Sequence, residues 1–325
     1  MRREYSTCVK IAGVNIQFKS DVEIDICNLC ILFKHHLTND SLHDKENHYV
    51  EIKTVNKMAI PKDAKLVWEG VYHGVGKKGK PNNDVKKYLS TNGQFEYFVS
   101  TDEACIINDL TTGRTTCALL IKRPLFHMKQ VRPSIGSVII LLTHIVMSYH
   151  HRYTLHASAV VWRGKALVFT GKSGQGKSTL CTDLVALGAG FLGDDIVFAY
   201  LKEGKPYIAS LLFDAKLYES SKKYKDFIDI IDRYHCKIID NVPLQAIVGI
   251  HQTRQGESAI EKSNDSDQLL SVFLTAANNI ALQYDHDDWM TLCACIMEKF
   301  RLYTFHFGDR NLLKKDILNE FYEQG

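Results

Sequence analysis

The chain has 325 residues, 45% of them apolar and 24% charged, with a net charge of +3. That balance fits a globular protein of one large domain or two ordinary ones. It argues against nucleic-acid binding, where a strongly basic domain is expected. The nine cysteines follow no repeating frame, which argues against a disulfide scaffold and for a reduced, cytoplasmic setting.

The first 130 residues read as strands. "VKIAGVNIQFKS" and "FEYFVSTDEACIIND" carry β-branched and aromatic residues in partial alternation, broken by Gly, Asn and Asp. "TDEA" and "TTGR" read as turns, and the polar tracts 38–56 and 73–84 as loops. The start of the chain carries charge with no apolar segment behind it, so no secretory signal is expected. The apolar run 135–149 is too short and too polar to span a bilayer. It reads as a buried helix opened by Pro133 that connects the two parts over 131–150, and no membrane partner is expected.

From about residue 151 the pattern changes. "TLHASAVVW" and "KALVFT" are strands around a tight "RGK" turn. Pairing Trp162 with Ala166 sets Ser158 opposite Thr170 and His156 opposite Lys172. A helix follows over 177–187, then a short strand ending at "FLGDD" and the hairpin "IVFAYLKEGKPYIAS" with "EGK" as its turn. The remainder reads as a strand "LQAIVGIH", helical stretches around 266–300, a strand "LYTFHF" and a last helix from Asn311.

Between "ALVFT" and "LCTDLVAL" stands "GKSGQGKST", which matches the phosphate-loop pattern G-x-x-x-x-G-K-[ST]. An apolar strand leads in and a helix leads out, as that loop requires. Gly171, Gly174 and Gly176 open backbone angles closed to other residues, so successive N–H groups can converge on phosphate oxygens at a helix N-terminus. Lys177 would reach the β- and γ-phosphates, Ser178 would ligate Mg²⁺, and Thr179 is its neighbour.

Phosphoryl transfer also needs a group to orient or deprotonate the acceptor. Asp194 and Asp195 follow the loop after one helix and one short strand. That path returns the chain to the sheet edge that carries the loop, where one carboxylate could serve Mg²⁺ and the other the acceptor. An acidic turn after a strand is the plain alternative. His156, a strand histidine, comes beside the loop by the register above.

The stretch from "LHASAVVW" to "FLGDD" resembles the core of HPr kinase/phosphorylase and its related kinases, which include those encoded beside lasso-peptide genes. The matching residues are His156, the loop, Gly188 and the Asp pair. "VKIAGVNIQFKSD", "NVPLQAIVGI" and "FRLYTFHFGD" extend the likeness more loosely. The resemblance implies an α/β fold, a phosphoenolpyruvate carboxykinase-like P-loop core at 151–325 behind a β-rich N-terminal domain at 1–130. It implies ATP and Mg²⁺ as cofactors, and an ATP site of Gly171, Lys172, Ser173, Gly174, Gln175, Gly176, Lys177, Ser178 and Thr179. By position Asp194 would take the acceptor proton, Asp195 would join Ser178 at the metal, and His156 would anchor the carboxylate pair. The expected activity is transfer of the γ-phosphoryl group to a hydroxyl, with a serine of a peptide or small protein as acceptor. A nucleotide-binding regulator or scaffold with little turnover, or a kinase of a small metabolite, is the alternative. The E-[IV]-R-G signature of the bifunctional enzymes is absent, so a kinase without the phosphorylase reaction is expected. A homo-oligomer is left open.

Weaker patterns carry plainer readings. Cys27 and Cys30 have metal-ligand spacing, with His35 and His36 after them, but no second C-x-x-C completes a zinc set. "KKGK" at 77–80 reads as a solvated loop. Lys216, Lys222, Lys223 and Lys225 form a basic patch before a helix, and "DHDDW" at 285–289 an acidic helix start.

Overall fold

Three hairpins are closed by one two-residue device. Ala12 and Gly13 have φ of 49° and 81°, Arg163 and Gly164 of 48° and 76°, Glu203 and Gly204 of 52° and 70°. Positive φ at both central residues marks the turn whose twist matches that of the flanking strands, and glycine in the second place lowers its strain. The computed structural model describes residues 4–39, 47–58, 60–71, 84–100, 104–120, 133–172, 174–211, 215–218, 225–228, 233–235, 239, 241–253, 256–263, 286–299 and 301–323. Ser173, the 77–80 run, Lys222, Lys223, residues 101–103 of "TDEA" and residues 264–285 lie outside them.

The chain is a mixed α/β protein with large sheets and few helices, divided into two compact units. The first is built on Met1–His150. Its strands are β1 (Tyr5–Ile11), β2 (Val14–Ser20), β3 (Asn47–Val55), β4 (Lys65–Val71), β5 (Asp84–Leu89), β6 (Phe95–Ser100), β7 (Ala104–Asp109) and β8 (Arg114–Leu120). They form one sheet in the order β1-β2-β3-β8-β7-β6-β5-β4. The pairs β2–β3 and β3–β8 are parallel and the rest antiparallel. Helix α1 (Glu23–Leu32) is followed by Phe33, whose ring stacks on Phe18 at 5.8 Å. Helix α2 (Pro133–Tyr149) does open at Pro133, and from Val138 to Ser148 it is buried on nearly every side. No helix among the described residues is long and apolar enough to cross a membrane.

The reading of 38–56 as a loop is corrected: β3 occupies its second half. The strand alternates strictly, with His48, Val50 and Ile52 inward and Glu51 and Lys53 outward. His48 hides the alternation because it is polar yet fully buried. Its Nε2 meets Thr115 Oγ1 at 2.8 Å and its Nδ1 meets His150 Nε2 at 3.1 Å. A buried polar residue with partners on both sides is tolerated where an isolated one is not.

The second unit is built on His151–Asn278 and Asp285–Gly325. In chain order it holds β9 (Tyr153–Leu155), β10 (Ser158–Trp162), β11 (Lys165–Thr170), α3 (Lys177–Ala186), β12 (Gly190–Gly193), β13 (Val197–Lys202), β14 (Lys205–Ser210), β15 (Ala215–Tyr218), β16 (Lys225–Ile228), β17 (Val242–Gln252), β18 (Ala259–Ser263), α4 (His286–Lys299), β19 (Arg301–Phe307) and α5 (Ile317–Glu323). Strand β11 lies between antiparallel β10 and parallel β17, and β17 is also parallel to β19. The first residues of β17 pair instead with β14, so this long strand joins the β12-β10-β11 side of the sheet to the β14-β13-β9 side. Leu180, Cys181, Leu184 and Val185 of α3 pack on Leu167 and Phe169 of β11, Val248 and Ile250 of β17, and Phe305 and Phe307 of β19. Leu318 and Phe321 of α5 close the same core.

Three further expectations change. The register is Trp162 with Lys165 and Ser158 with Phe169, one residue away from the predicted pairing. The turns are "RG", not "RGK", and "EG", not "EGK", because two positive-φ residues suffice to reverse the chain and Lys165 and Lys205 are strand residues paired with Trp162 and Lys202. The end of the chain forms a short 3-10 turn at Arg310–Leu312 before α5, not one helix from Asn311.

Candidate functional site

The three parallel strands β11, β17 and β19 end at one sheet edge, the edge at which open α/β sheets hold ligands. Strand β11 stops at Thr170 and the glycine loop follows at once. Gly171, Gly174 and Gly176 have φ of 147°, 88° and 94°. Gly176 is the left-handed N-cap of α3, and the N–H of Leu180 donates to its carbonyl at 2.8 Å. A side chain at Gly171 would run into Oε1 of Gln175, whose amide folds back to accept the N–H of Lys172 at 2.5 Å. Lys177 is buried to 7% exposure, and its ammonium donates to the carbonyls of Gly171 at 2.8 Å and Lys172 at 3.4 Å. The lysine therefore ties the start of the loop to the first turn of α3. Ser178 and Thr179, in that turn, are partly exposed, and Lys172 is exposed.

The acidic corner forms because two connections cross between the two sides of the sheet. Strand β9 pairs with β13, while β10 pairs with β11 and β12; His156 lies at that crossing. The chain crosses back between β12 and β13, at Asp194 and Asp195. Strand β12 is antiparallel to β10, which is antiparallel to β11, so β12 ends at the same edge as the glycine loop.

Asp195 has φ of 69°, and the N–H of Ile196 donates to the carbonyl of Asp194 at 2.9 Å. The result is a tight γ-turn centred on a left-handed aspartate, a conformation that surrounding contacts must hold. His156 supplies one. Its Nδ1 lies 3.1 Å from the Asp195 carbonyl oxygen and 3.0 Å from Asp195 Oδ1. Both partners are acceptors, so Nδ1 carries the proton. Asp194, at 4% exposure, is held differently: Ser158, fully buried, donates its hydroxyl to Asp194 Oδ1 at 2.5 Å. His156 thus engages Asp195 by side chain and backbone, while Asp194 Oδ1 takes the hydroxyl of a serine that motif reading passed over. His156 itself lies in the crossing between β9 and β10 rather than in a strand.

One further contact ties the corner to α3. The Cys181 thiol lies 3.6 Å from the carbonyl oxygen of Ala159 and 3.9 Å from that of Gly193. Ser178 comes one turn before Cys181 on the same helix face. Hydroxyl and carboxylate oxygens are hard donors of the kind Mg²⁺ takes, with phosphate and water completing the shell. These residues fit the ion.

No family model matches the chain, and no curated protein matches it. Among solved structures, the Hpr(Ser) kinase/phosphatase from Coxiella burnetii aligns over 53% of this chain and 94% of its own, with 12% identity and a TM-score of 0.30. A likeness that slight carries no argument about chemistry, which rests on the residues themselves.

The weaker motifs have local partners. Cys27 is exposed, Cys30 Sγ meets Thr7 Oγ1 at 3.3 Å, and His36 Nδ1 donates to the Lys10 carbonyl at 3.1 Å. Asp287 and Asp288 stand in the first turn of α4, where Asp288 takes His151 Nδ1 at 2.7 Å.

Proposed function

We propose that the protein is an ATP-dependent kinase of the HPr-kinase-related type, with a phosphoenolpyruvate carboxykinase-like P-loop core. It transfers the γ-phosphoryl group of ATP to a hydroxyl, with a serine of a peptide or small protein as acceptor. The observation that carries this reading is the meeting of two features at one sheet edge: the lysine-tied glycine loop after β11, and the Ser158–Asp194 and His156–Asp195 pairs between the start of β10 and the end of β12.

In this reading the N–H groups of the loop and Lys177 bind the phosphates, supported by the N-terminal end of α3. Ser178 and Asp195 would hold Mg²⁺, which when bound neutralises charge on the phosphate oxygens. Asp194 accepts the proton of the acceptor hydroxyl as the new O–P bond forms and the bridging P–O bond to ADP breaks. The transition state is loose, so holding the acceptor in line matters as much as taking its proton. His156 keeps Asp195 in its turn.

The test is Asp194→Asn, which keeps shape and removes charge. Nucleotide affinity should stay within about threefold while phosphoryl transfer to an accepted serine peptide falls by about 10² or more, the scale of a lost general base. Transfer at the wild-type rate would remove Asp194 from the chemistry. Nucleotide binding by the wild-type protein with no transfer to peptide, protein or small hydroxyl compounds would leave a regulator in place of an enzyme.

A further inference from the structure

We infer that Ser158 is a positioning residue for the transfer step: its buried hydroxyl fixes the carboxylate of Asp194 in place. The inference rests on the kinase reading above. Ser158 is fully buried at the first residue of β10, where every neighbour along the strand is apolar. A hydroxyl in such a place is costly to desolvate unless it is bonded. Its partner is Asp194 Oδ1, itself buried, at 2.5 Å.

The geometry follows from the sheet. Ala159 pairs with Gly193, and a shift of register falls between Ala159 and Val160. The residue before Ala159 and the residue after Gly193 therefore face one another beyond the end of the ladder. Ser158 is set by its ladder with β11, opposite Phe169, so the donor sits on the rigid part of the sheet and the acceptor on the turn. Ser158 thereby holds one carboxylate oxygen of Asp194, so the group proposed to take the proton keeps one orientation. Nothing about the phosphate loop requires this serine, which separates its role from nucleotide binding.

Ser158→Ala removes the hydroxyl with little change of volume. The expected result is a turnover lower by about tenfold with the KM for ATP within about twofold, the cost of a misplaced reacting group, and recovery of most of that loss in Ser158→Thr, which keeps the hydroxyl. In an Asp194→Asn background the same substitution should lower turnover no further, because the two residues act as one unit. An unchanged turnover in Ser158→Ala, or losses that simply multiply in the double variant, would overturn the inference. Should the wild-type protein transfer no phosphoryl group, the proposed function falls first. The Ser158 contact is then decided by crystal structures of the wild type and Ser158→Ala: an Asp194 carboxylate that turns away without the hydroxyl supports it, and one that keeps its place overturns it.

Discussion

Lys177 performs two tasks with one ammonium. It donates to the carbonyls of Gly171 and Lys172, and in the proposed function it also meets phosphate. Its removal should cost in both states. Lys177→Ala is expected to weaken Mg-ATP binding at least tenfold, or about 1.4 kcal/mol, measured by calorimetry; unchanged affinity would sink the phosphate-loop assignment. The residues of this region were unequally legible. The glycines and the lysine stand out because their spacing is tied to a specific backbone shape. Asp194 and Asp195 stand out as paired charges, and His156 as a histidine near them. Ser158 does not, since a serine among Ala and Val in a strand reads as a small core residue until its partner is seen. The left-handed turn at Asp195 was equally hidden, because Asp is only one of several residues that tolerate it.

Among the elements, those with a local cause were readable and those with a distant one were not. The hairpin closed by Glu203 and Gly204 and the helix after Gly176 follow from neighbouring residues. The inward face of β3 depends on His48 finding Thr115 and His150, which no local pattern announces. The β10–β11 register turned on whether Lys165 belongs to the turn or to the strand; it is the partner of Trp162. Two glycines of these elements should respond differently to a methyl group. At Gly164 nothing lies within 4 Å, so Gly164→Ala carries only the strain of φ at 76°, about 1 kcal/mol. At Gly193 the new carbon would lie 2.7 Å from Ser210 Cβ and 3.2 Å from Val197 Cγ1. Gly193→Ala must push β12 away from β13 and β14, at about 1–3 kcal/mol or more, the range for overpacking. It should also disturb Asp194, its neighbour. Denaturant titration of the two variants checks the order; equal losses would contradict it.

At the scale of the whole molecule, acid is the expected weakness. Burial holds His48 down to about 3 and His36 down to about 4, with His150 adding to the effect on His48 and His35 to that on His36, while the Lys10 carbonyl partly offsets it for His36. In the unfolded chain both would take up a proton near 6.5. Below that pH the unfolded state binds more protons, so stability falls as pH drops, by up to about 1.4 kcal/mol per pH unit for each histidine. The loss from His36 ends near 4 and that from His48 near 3. Urea midpoints measured from pH 7 to 4.5 should decline steadily below about 6.5; a flat series would show that these rings are not held neutral. The position of β17 between β11 and β19 has a consequence for how the molecule is made. The partner of Ala166 is Leu244, and that of Ala246 is Arg301. On a growing chain the glycine loop therefore emerges long before the strands that brace it. Until residues 242–252 leave the ribosome, β11 has only β10 beside it, and the loop hangs from an open edge. A chain stopped short of β17 would carry the entire phosphate-loop motif and have no formed site in which to use it.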